Sequence, residues 1–541
     1  MKDAETERLT AAEVIAKRLA AAGCRHAFGI PGGEVLALMD ALDRAGLRIS
    51  LVKHENSGGF MAEGTYHANG APGVLFATIG PGIANAANVI ANAWQDRVPM
   101  IVLTGCVPAV EEMTYTHQVF DHVEMLKPVT KAAIRVRPGT AAVAIDKALK
   151  IATSGRPGPV VLDVPIDVQR EAPEAFHAAA HAPEAPMAPA GDALEEARRW
   201  LAEAERPLVV AGLDIHSQRC ADAVAAFCRA RGAPVIASYK AKGVIPEVED
   251  LALGGAGLSP LADSELMPLL KASDSVILVG YDPIEMRIGW RDPFAPGQRV
   301  IDVAAEINTH YMHQAGLNFT GDIAATLKAL SDDLTSRPAW PDGEPAAAKA
   351  KLRDLFNVDE EWGPAAVADE VRRASPPLTV ATADSGAHRI VVSHVWESDH
   401  VGGLLQSSAL CTMGCAVPLA MGRKLAEPER PVVAFVGDAG LEMFLGELAT
   451  ARDLRLGLPV VVFIDEQLGL IELKQRANQM PNLGVEFPGT DFTAVAEAMG
   501  GIGVTVRDRA ALNSAVKDAY GRTTFTLISA VIGRNAYDGR I

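Results

Sequence analysis

The stretch Pro431–Ala451, PVVAFVGDAGLEMFLGELATA, reads as a strand, a Gly-Asp turn and a helix. Its opening is a continuous apolar run bounded by a Pro and a Gly, the pattern of a strand buried on both faces. Small residues straight after such a strand let backbone N–H groups approach an anion at the helix start. An Asp at that turn would repel a phosphate unless a divalent cation lay between them. A second oxygen ligand would then be expected at the end of a neighbouring strand. Asp465, closing PVVVFID, stands 27 positions beyond Asp438. Two carboxylates, phosphate oxygens and water suit Mg²⁺, which favours octahedral oxygen coordination. Taken alone, the Gly-Asp turn reads as a helix cap and Asp465 as a strand end.

Outward from this stretch the same grammar repeats. SLVKH, GVLFATI, MIVLTG and PVVLDVP precede it in a first segment, PLVVAG, PVIAS, SVILVG and RVIDVA in a second, and LTVATAD, PVVVFID and TLISAVI join it in a third. Short apolar runs alternating with helical stretches predict three α/β domains, each a doubly wound parallel sheet. Two Ala- and Pro-rich stretches, 168–195 and 331–350, read as linkers. They place the domains at 1–175, 190–332 and 350–541. No repeat of fixed period is visible. Ligands of open parallel sheets sit at the carboxyl ends of strands. That rule points to His54-Glu55, Gly80-Pro81-Gly82, Asp384-Ser385-Gly386, Gly437-Asp438-Ala439 and Asp465-Glu466-Gln467.

The formal net charge of -17 argues against a nucleic-acid or anionic-membrane partner. Six cysteines in 541 residues are too sparse for a disulfide scaffold. Cys411 and Cys415 have no Cys or His partner at ligand spacing, so they read as packed thiols. MKDAETERLT lacks the apolar core of a secretory signal, and no apolar run reaches the ~18 residues of a membrane helix. A cytoplasmic enzyme is expected. GIPGGEV does not complete a dinucleotide fingerprint, which excludes that reading of the first segment.

GDA followed by an acidic residue 27 positions later resembles the thiamine-diphosphate motif that opens Gly-Asp-Gly and closes Asn-Asn. Ala439 replaces the third Gly, and Asp465-Glu466 replaces Asn-Asn while keeping an oxygen ligand. GIPGGEVLALMDAL, HENSGGFMAEG, IGPGIANAANVIANAWQDRVPMIVLTG and GRPGPVVLDVP resemble the pyrimidine-binding domain of the acetolactate synthase group. HQVFDHVEMLKPVTK, VGYDPIEMR and LGVEFPGTDFTAVAEAMGG are similar to the catabolic, flavin-free type.

The resemblance implies roles by position. Asp438, Asp465 and the carbonyl of Gln467 would hold the metal. Glu55 would hydrogen-bond the cofactor's pyrimidine and activate it; alone, it would read as a surface Glu after an edge strand. Met413 would wedge beneath the bent cofactor, or simply fill core, and the carbonyl of Cys411 would accept from its amino group. Gly386, Ala387 and His388 would form a second diphosphate loop, with Ala387 standing where the family often has Gln. Gly80, Gly82 and Asn85 would approach the thiazolium from a partner subunit. His117 and Gln118 would face the substrate, or be ordinary loop residues. Arg287 and Arg291 could hold an acceptor carboxylate. Tyr281-Asp282-Pro283 replaces the acidic-acidic-Arg stretch of the flavin-binding type, so no flavin is expected.

The family's cofactor spans two chains, so a homodimer or homotetramer with interface active sites is implied. The implied reaction is decarboxylation of a 2-oxo acid followed by carboligation, giving acetolactate from pyruvate. The alternatives are a simple decarboxylase releasing an aldehyde and an inactive cofactor-binding paralogue. Glu466-Gln467-Leu468-Gly469, and His117 close to Phe120, depart from the family pattern and could mark a longer or differently charged substrate.

Overall fold

The computed structural model describes residues 9–172, 185–332, 334 and 339–541. Within them the chain forms three all-parallel sheets of six strands, flanked by helices. The first contains β1 (His26–Ile30), β2 (Arg48–Leu51), β3 (Gly73–Ala77), β4 (Met100–Cys106), β5 (Ala132–Arg135) and β6 (Pro159–Pro165), ordered β2-β1-β3-β4-β6-β5. The second contains β7 (Pro207–Ala211), β8 (Val235–Ala237), β9 (Ala252–Gly255), β10 (Ser275–Val279), β11 (Arg299–Ala304) and β12 (Leu317–Thr320), ordered β12-β11-β10-β7-β8-β9. The third contains β13 (Val380–Ala383), β14 (Leu404–Gln406), β15 (Val432–Gly437), β16 (Pro459–Ile464), β17 (Ile502–Val506) and β18 (Thr526–Val531), ordered β14-β13-β15-β16-β18-β17.

Each order reverses direction part-way, so right-handed crossovers place helices on both faces. The first and third sheets share one strand order, a structural repeat that the sequence does not display. The strands read from apolar runs are nearly all inner strands; β3, β4, β6, β7, β10 and β16 are buried at every position. The unread strands of the second and third sheets, β9, β12, β14 and β17, are all edges. In the first sheet the edge β5 and the short inner strand β1, HAFGI, also went unread. An edge strand meets solvent on one side and need not be continuously apolar; β12 and β17 are only partly buried.

The linker reading needs correction at its ends. Ile166–Arg170 and Asp192–Glu203 are helical, and so is Glu344–Leu355. Gly343 enters the last of these in a left-handed conformation, Pro345 occupies its first turn, and alanines that looked like linker propagate it. The middle of each stretch, 173–184 and 335–338, lies outside the described residues.

The chain divides into two compact units. The first holds the described residues up to 172 with 418–429 and 444–456; the second holds 185–417, 430–443 and 457–541. Among the described residues no helix is long and apolar enough to cross a membrane.

Candidate active site

In the second unit, strand register assembles the site. β15 lies between β13 and β16, with Ala383 opposite Phe435 and Gly437 opposite Phe463. The residues that leave these three strands, Asp384, Asp438 and Asp465, therefore emerge together at the carboxyl edge, where the strand order reverses. Asp438 is buried. Its Oδ1 accepts the Ala439 N–H at 2.8 Å, and its Oδ2 accepts the N–H groups of Asp465 at 3.2 Å and Glu466 at 2.8 Å. Glu466 adopts a left-handed φ of 54° in this turn.

Burial raises the proton affinity of both aspartates. Asp465 is pushed up to about 8, first by burial and then by the neighbouring charge of Asp438. Two buried carboxylates that repel each other could hold a divalent cation, which would reverse the sign of their interaction. Among the described residues no third His, Cys, Asp or Glu joins them. The remaining ligands would be carbonyl, phosphate or water oxygens, as Mg²⁺ accepts. Gln467, buried beside them, has an amide Nε2 without a partner.

A cavity of about 130 Å³ collects these groups. Its wall includes Gly386, Ala387, His388, Met413, Gly437, Asp438, Ala439, Asp465 and Gln467. Helices Ala387–Val395 and Gly469–Ala477 both begin on this wall, and neither carries a side-chain cap. Their unsatisfied N–H groups and dipoles favour an anion. The residues thus fit a diphosphate bridged to protein by a divalent ion. Met413 is half-buried on the cavity wall, not in the core. Cys411 takes a left-handed φ of 59°, and its thiol donates to the Ser408 carbonyl. Cys411 and Cys415 are free thiols.

The diphosphate-loop histidine is already engaged. His388 Nε2 lies 2.8 Å from Asp384 Oδ1, and its ring stacks on Phe463. A hydrogen bond from His388 to phosphate would have to come from Nδ1, which donates only if the ring is protonated while Nε2 serves Asp384. Asp384, fully buried, also accepts the N–H groups of Gly414 at 2.5 Å and Gly437 at 3.2 Å. One carboxylate therefore ties together the loops bearing His388, Met413 and Asp438. Sequence reading noted Asp384 only as a strand end; nothing local distinguishes it. Tyr537, buried on the same cavity wall, carried no sequence signal either.

The first unit presents a different constellation. Glu55 is not a surface residue. It opens helix Glu55–Asn69 at 4% exposure, and His54 caps that helix by accepting the Asn56 N–H. Glu55 Oε2 accepts from Asn85 Nδ2 at 3.1 Å. A Cβ on Gly82 would lie 3.3 Å from Glu55 Oε1, so only a residue without a side chain leaves that oxygen open. The backbone N–H groups of Lys53 and His54 both donate to the buried carboxylate of Glu447, which fixes the turn carrying Glu55. Glu447 was not foreseen, being 392 positions from Glu55. Gly80, at a left-handed φ of 69°, packs directly on Gln118. His122 stands 3.4 Å from the Gly80 N–H and 3.2 Å from Asp163. His117 and Gln118 are exposed.

Comparison with known proteins accounts for this geometry. Three family models match in order: the N-terminal TPP binding domain of thiamine pyrophosphate enzymes over residues 9–125, their central domain over 194–330 and their C-terminal TPP binding domain over 384–530. The large subunit of acetolactate synthase isozyme 1 from Escherichia coli is 30% identical, covering 87% of this chain and 84% of its own length. The chain belongs to the thiamine pyrophosphate enzymes, in the acetolactate synthase group. The acetolactate synthase of Bacillus subtilis is 29% identical over 92% of this chain and 88% of its own. The probable 2-ketoarginine decarboxylase AruI of Pseudomonas aeruginosa is 29% identical over 96% and 93%.

Within this thiamine pyrophosphate enzyme, the residues implied for the diphosphate and metal lie around one cavity, and Glu55, Gly82 and Asn85 are brought together in the other unit. Arg287 and Arg291 are exposed in the second unit. Arg287 donates to the Leu258 carbonyl; Arg291 does not line the cavity that Arg287 lines.

Proposed function

We propose that this enzyme decarboxylates a 2-oxo acid and joins the remaining acyl carbon to a second carbonyl compound, as its acetolactate synthase relatives are named for doing. The observation that carries the reading is the retention of both halves of the machinery. These are a buried Glu55 held by Asn85, and a carboxylate pair set between uncapped helix starts. An inactive paralogue would have no need to keep a buried pair of mutually repelling aspartates.

Thiamine diphosphate, when bound, supplies the carbon nucleophile and the electron sink for CO₂ loss. Asp438, Asp465 and the Gln467 carbonyl would hold Mg²⁺ against the diphosphate. The loop Gly386–His388 and the turn Gly437–Ala439 would receive the phosphates through backbone N–H groups. Met413 would support the cofactor's bend, with the Cys411 carbonyl as acceptor for its amino group. Glu55 would share a proton with the pyrimidine, and Asn85 holds its carboxyl group in place. Gly80, Gly82, His117 and Gln118 would line the reacting face. Glu55 and Asp438 lie in different compact units. A homodimer whose active sites combine two chains, or a tetramer of such dimers, is the assembly we propose. The domain limits 1–175, 190–332 and 350–541, a flavin-free middle domain and a cytoplasmic location belong to the same reading.

The decarboxylase relative supports a second reading, in which the acyl carbon is only protonated and leaves as an aldehyde. The test is CO₂ release from a panel of 2-oxo acids with added thiamine diphosphate and Mg²⁺, followed by mass spectrometry of the products. Ligated products support the first reading and aldehyde alone the second. No CO₂ from any 2-oxo acid would refute both.

A further inference from the structure

A larger cavity, of about 590 Å³, adjoins the diphosphate cavity. The two share Ser385, Gly386, Leu470 and Tyr537, so a substrate held beside the cofactor can extend into the larger one. Arg287, Arg389 and Lys474 stand on its wall with no Asp or Glu side chain; Ile541, whose main-chain carboxyl group offsets at most one of the three charges, is also on it. In a chain whose net charge is -17 this is a local reversal of sign.

Arg389 decides what the reversal means. It is 5% exposed, on the helix that begins at Ala387. Its guanidinium donates to the Ser407 carbonyl and the Cys411 sulfur, both uncharged partners, and its Nε has none. Among the described residues no carboxylate forms an ion pair with Arg287, Arg389 or Lys474. Arg287 feels the charge of Asp263 without pairing with it and donates to the Leu258 carbonyl. A guanidinium buried without a counter-ion is costly, and such groups are normally paired. Exposed Arg287 and Lys474 have long stems that let their charges swing over the opening. Leu258, Leu470 and Leu473 complete the wall with apolar surface, suited to a short carbon chain between two polar ends.

We propose that this cavity is the side-chain pocket for a 2-oxo acid whose far end carries a second carboxylate. The inference rests on the decarboxylation reading above and names its substrate class. The keto acid end would lie toward Met413, beside the bend of the cofactor, with the diphosphate held at Asp438 and Asp465. The distal carboxylate would meet the fixed charge of Arg389 and the mobile charges of Lys474 and Arg287, in the charge-assisted pairing that guanidinium groups favour. A 2-oxo acid ending in a cation is repelled from the same wall.

The test uses the full-length holoenzyme with thiamine diphosphate and Mg²⁺. CO₂ release is followed from pyruvate, 2-oxoglutarate and 2-ketoarginine, in the wild type, Lys474→Gln and Arg389→Lys. The pocket predicts that 2-oxoglutarate has the highest kcat/KM and 2-ketoarginine the lowest. Lys474→Gln, at an exposed position with little bearing on folding, should raise KM for 2-oxoglutarate about tenfold more than KM for pyruvate, the loss of one charged hydrogen bond. A kcat for 2-oxoglutarate that stays within about twofold would place the effect in binding. Equal changes for both substrates, or 2-oxoglutarate acting as neither substrate nor competitive inhibitor while pyruvate turns over, would overturn the pocket and leave the decarboxylation reading standing. If no 2-oxo acid turns over, the decarboxylation reading fails. Calorimetry then decides the pocket alone, through 2-oxoglutarate binding that Lys474→Gln weakens or does not.

Discussion

Replacing Asp465 by Asn, the residue that closes the family's motif, should stabilise the cofactor-free protein while weakening its response to Mg²⁺. In the folded chain Asp465 is held from 3.8 up to about 8 by burial and by Asp438. The folded state therefore binds more protons than the unfolded state between about pH 4 and 8. Stability contributed by this site falls as pH rises through that window, and the loss is complete above about pH 8. At ~1.4 kcal/mol for each tenfold change in proton affinity, burial of the charge and its repulsion by Asp438 together cost the metal-free protein at most about 6 kcal/mol. Asn removes the charge and keeps one oxygen for the neighbouring backbone N–H groups. In chelator at pH 8.5 the variant should melt several degrees above wild type, and at pH 5 the gap should narrow. With Mg²⁺ and thiamine diphosphate the gap should shrink, because Asn still offers an oxygen but only the wild type gains a charged ligand for the ion. Thermal melts followed by intrinsic fluorescence measure all four conditions. A variant less stable than wild type in chelator at pH 8.5, or equally stabilised by Mg²⁺ and cofactor, would refute the reasoning.

Glu55→Gln should leave the melting temperature within a few degrees of wild type and lower kcat by about a hundredfold or more, since an amide cannot share a proton as a carboxyl group does; steady-state turnover at saturating cofactor checks this, and near-wild-type turnover would remove Glu55 from the mechanism. Asp384→Ala removes a buried acceptor of three hydrogen bonds. It should cost about 3–5 kcal/mol of stability and weaken cofactor binding, read by melts and by calorimetry on the folded fraction. Cofactor affinity unchanged in that fraction would show that Asp384 does not position the loops. The purified enzyme should show no flavin absorption bands, because Tyr281 and Asp282 at the end of β10 are buried and Asp282 caps the following turn; bound flavin in the visible spectrum would contradict this.

The sequence by itself determined the three-domain parallel-sheet plan and the family, because inner strands of parallel sheets must be apolar throughout and strand ends must carry the ligands. It also singled out Glu55, Asp438 and Asp465, each on its own, as candidates. Edge strands such as β9, β12, β14 and β17 escaped it, since one-sided burial imposes no continuous apolar run. Helix Glu344–Leu355 escaped it because alanine serves linkers and helices alike. Contacts between distant segments were decided only in three dimensions. Asn85 on Glu55, Glu447 beneath the same turn, and Asp384 joining three loops all depend on which strands lie side by side. The charge of the larger cavity was hidden for the same reason. Arg287, Arg389 and Lys474 are far apart in a chain that is acidic overall, and only packing brings them to one wall and leaves the Asp and Glu side chains elsewhere.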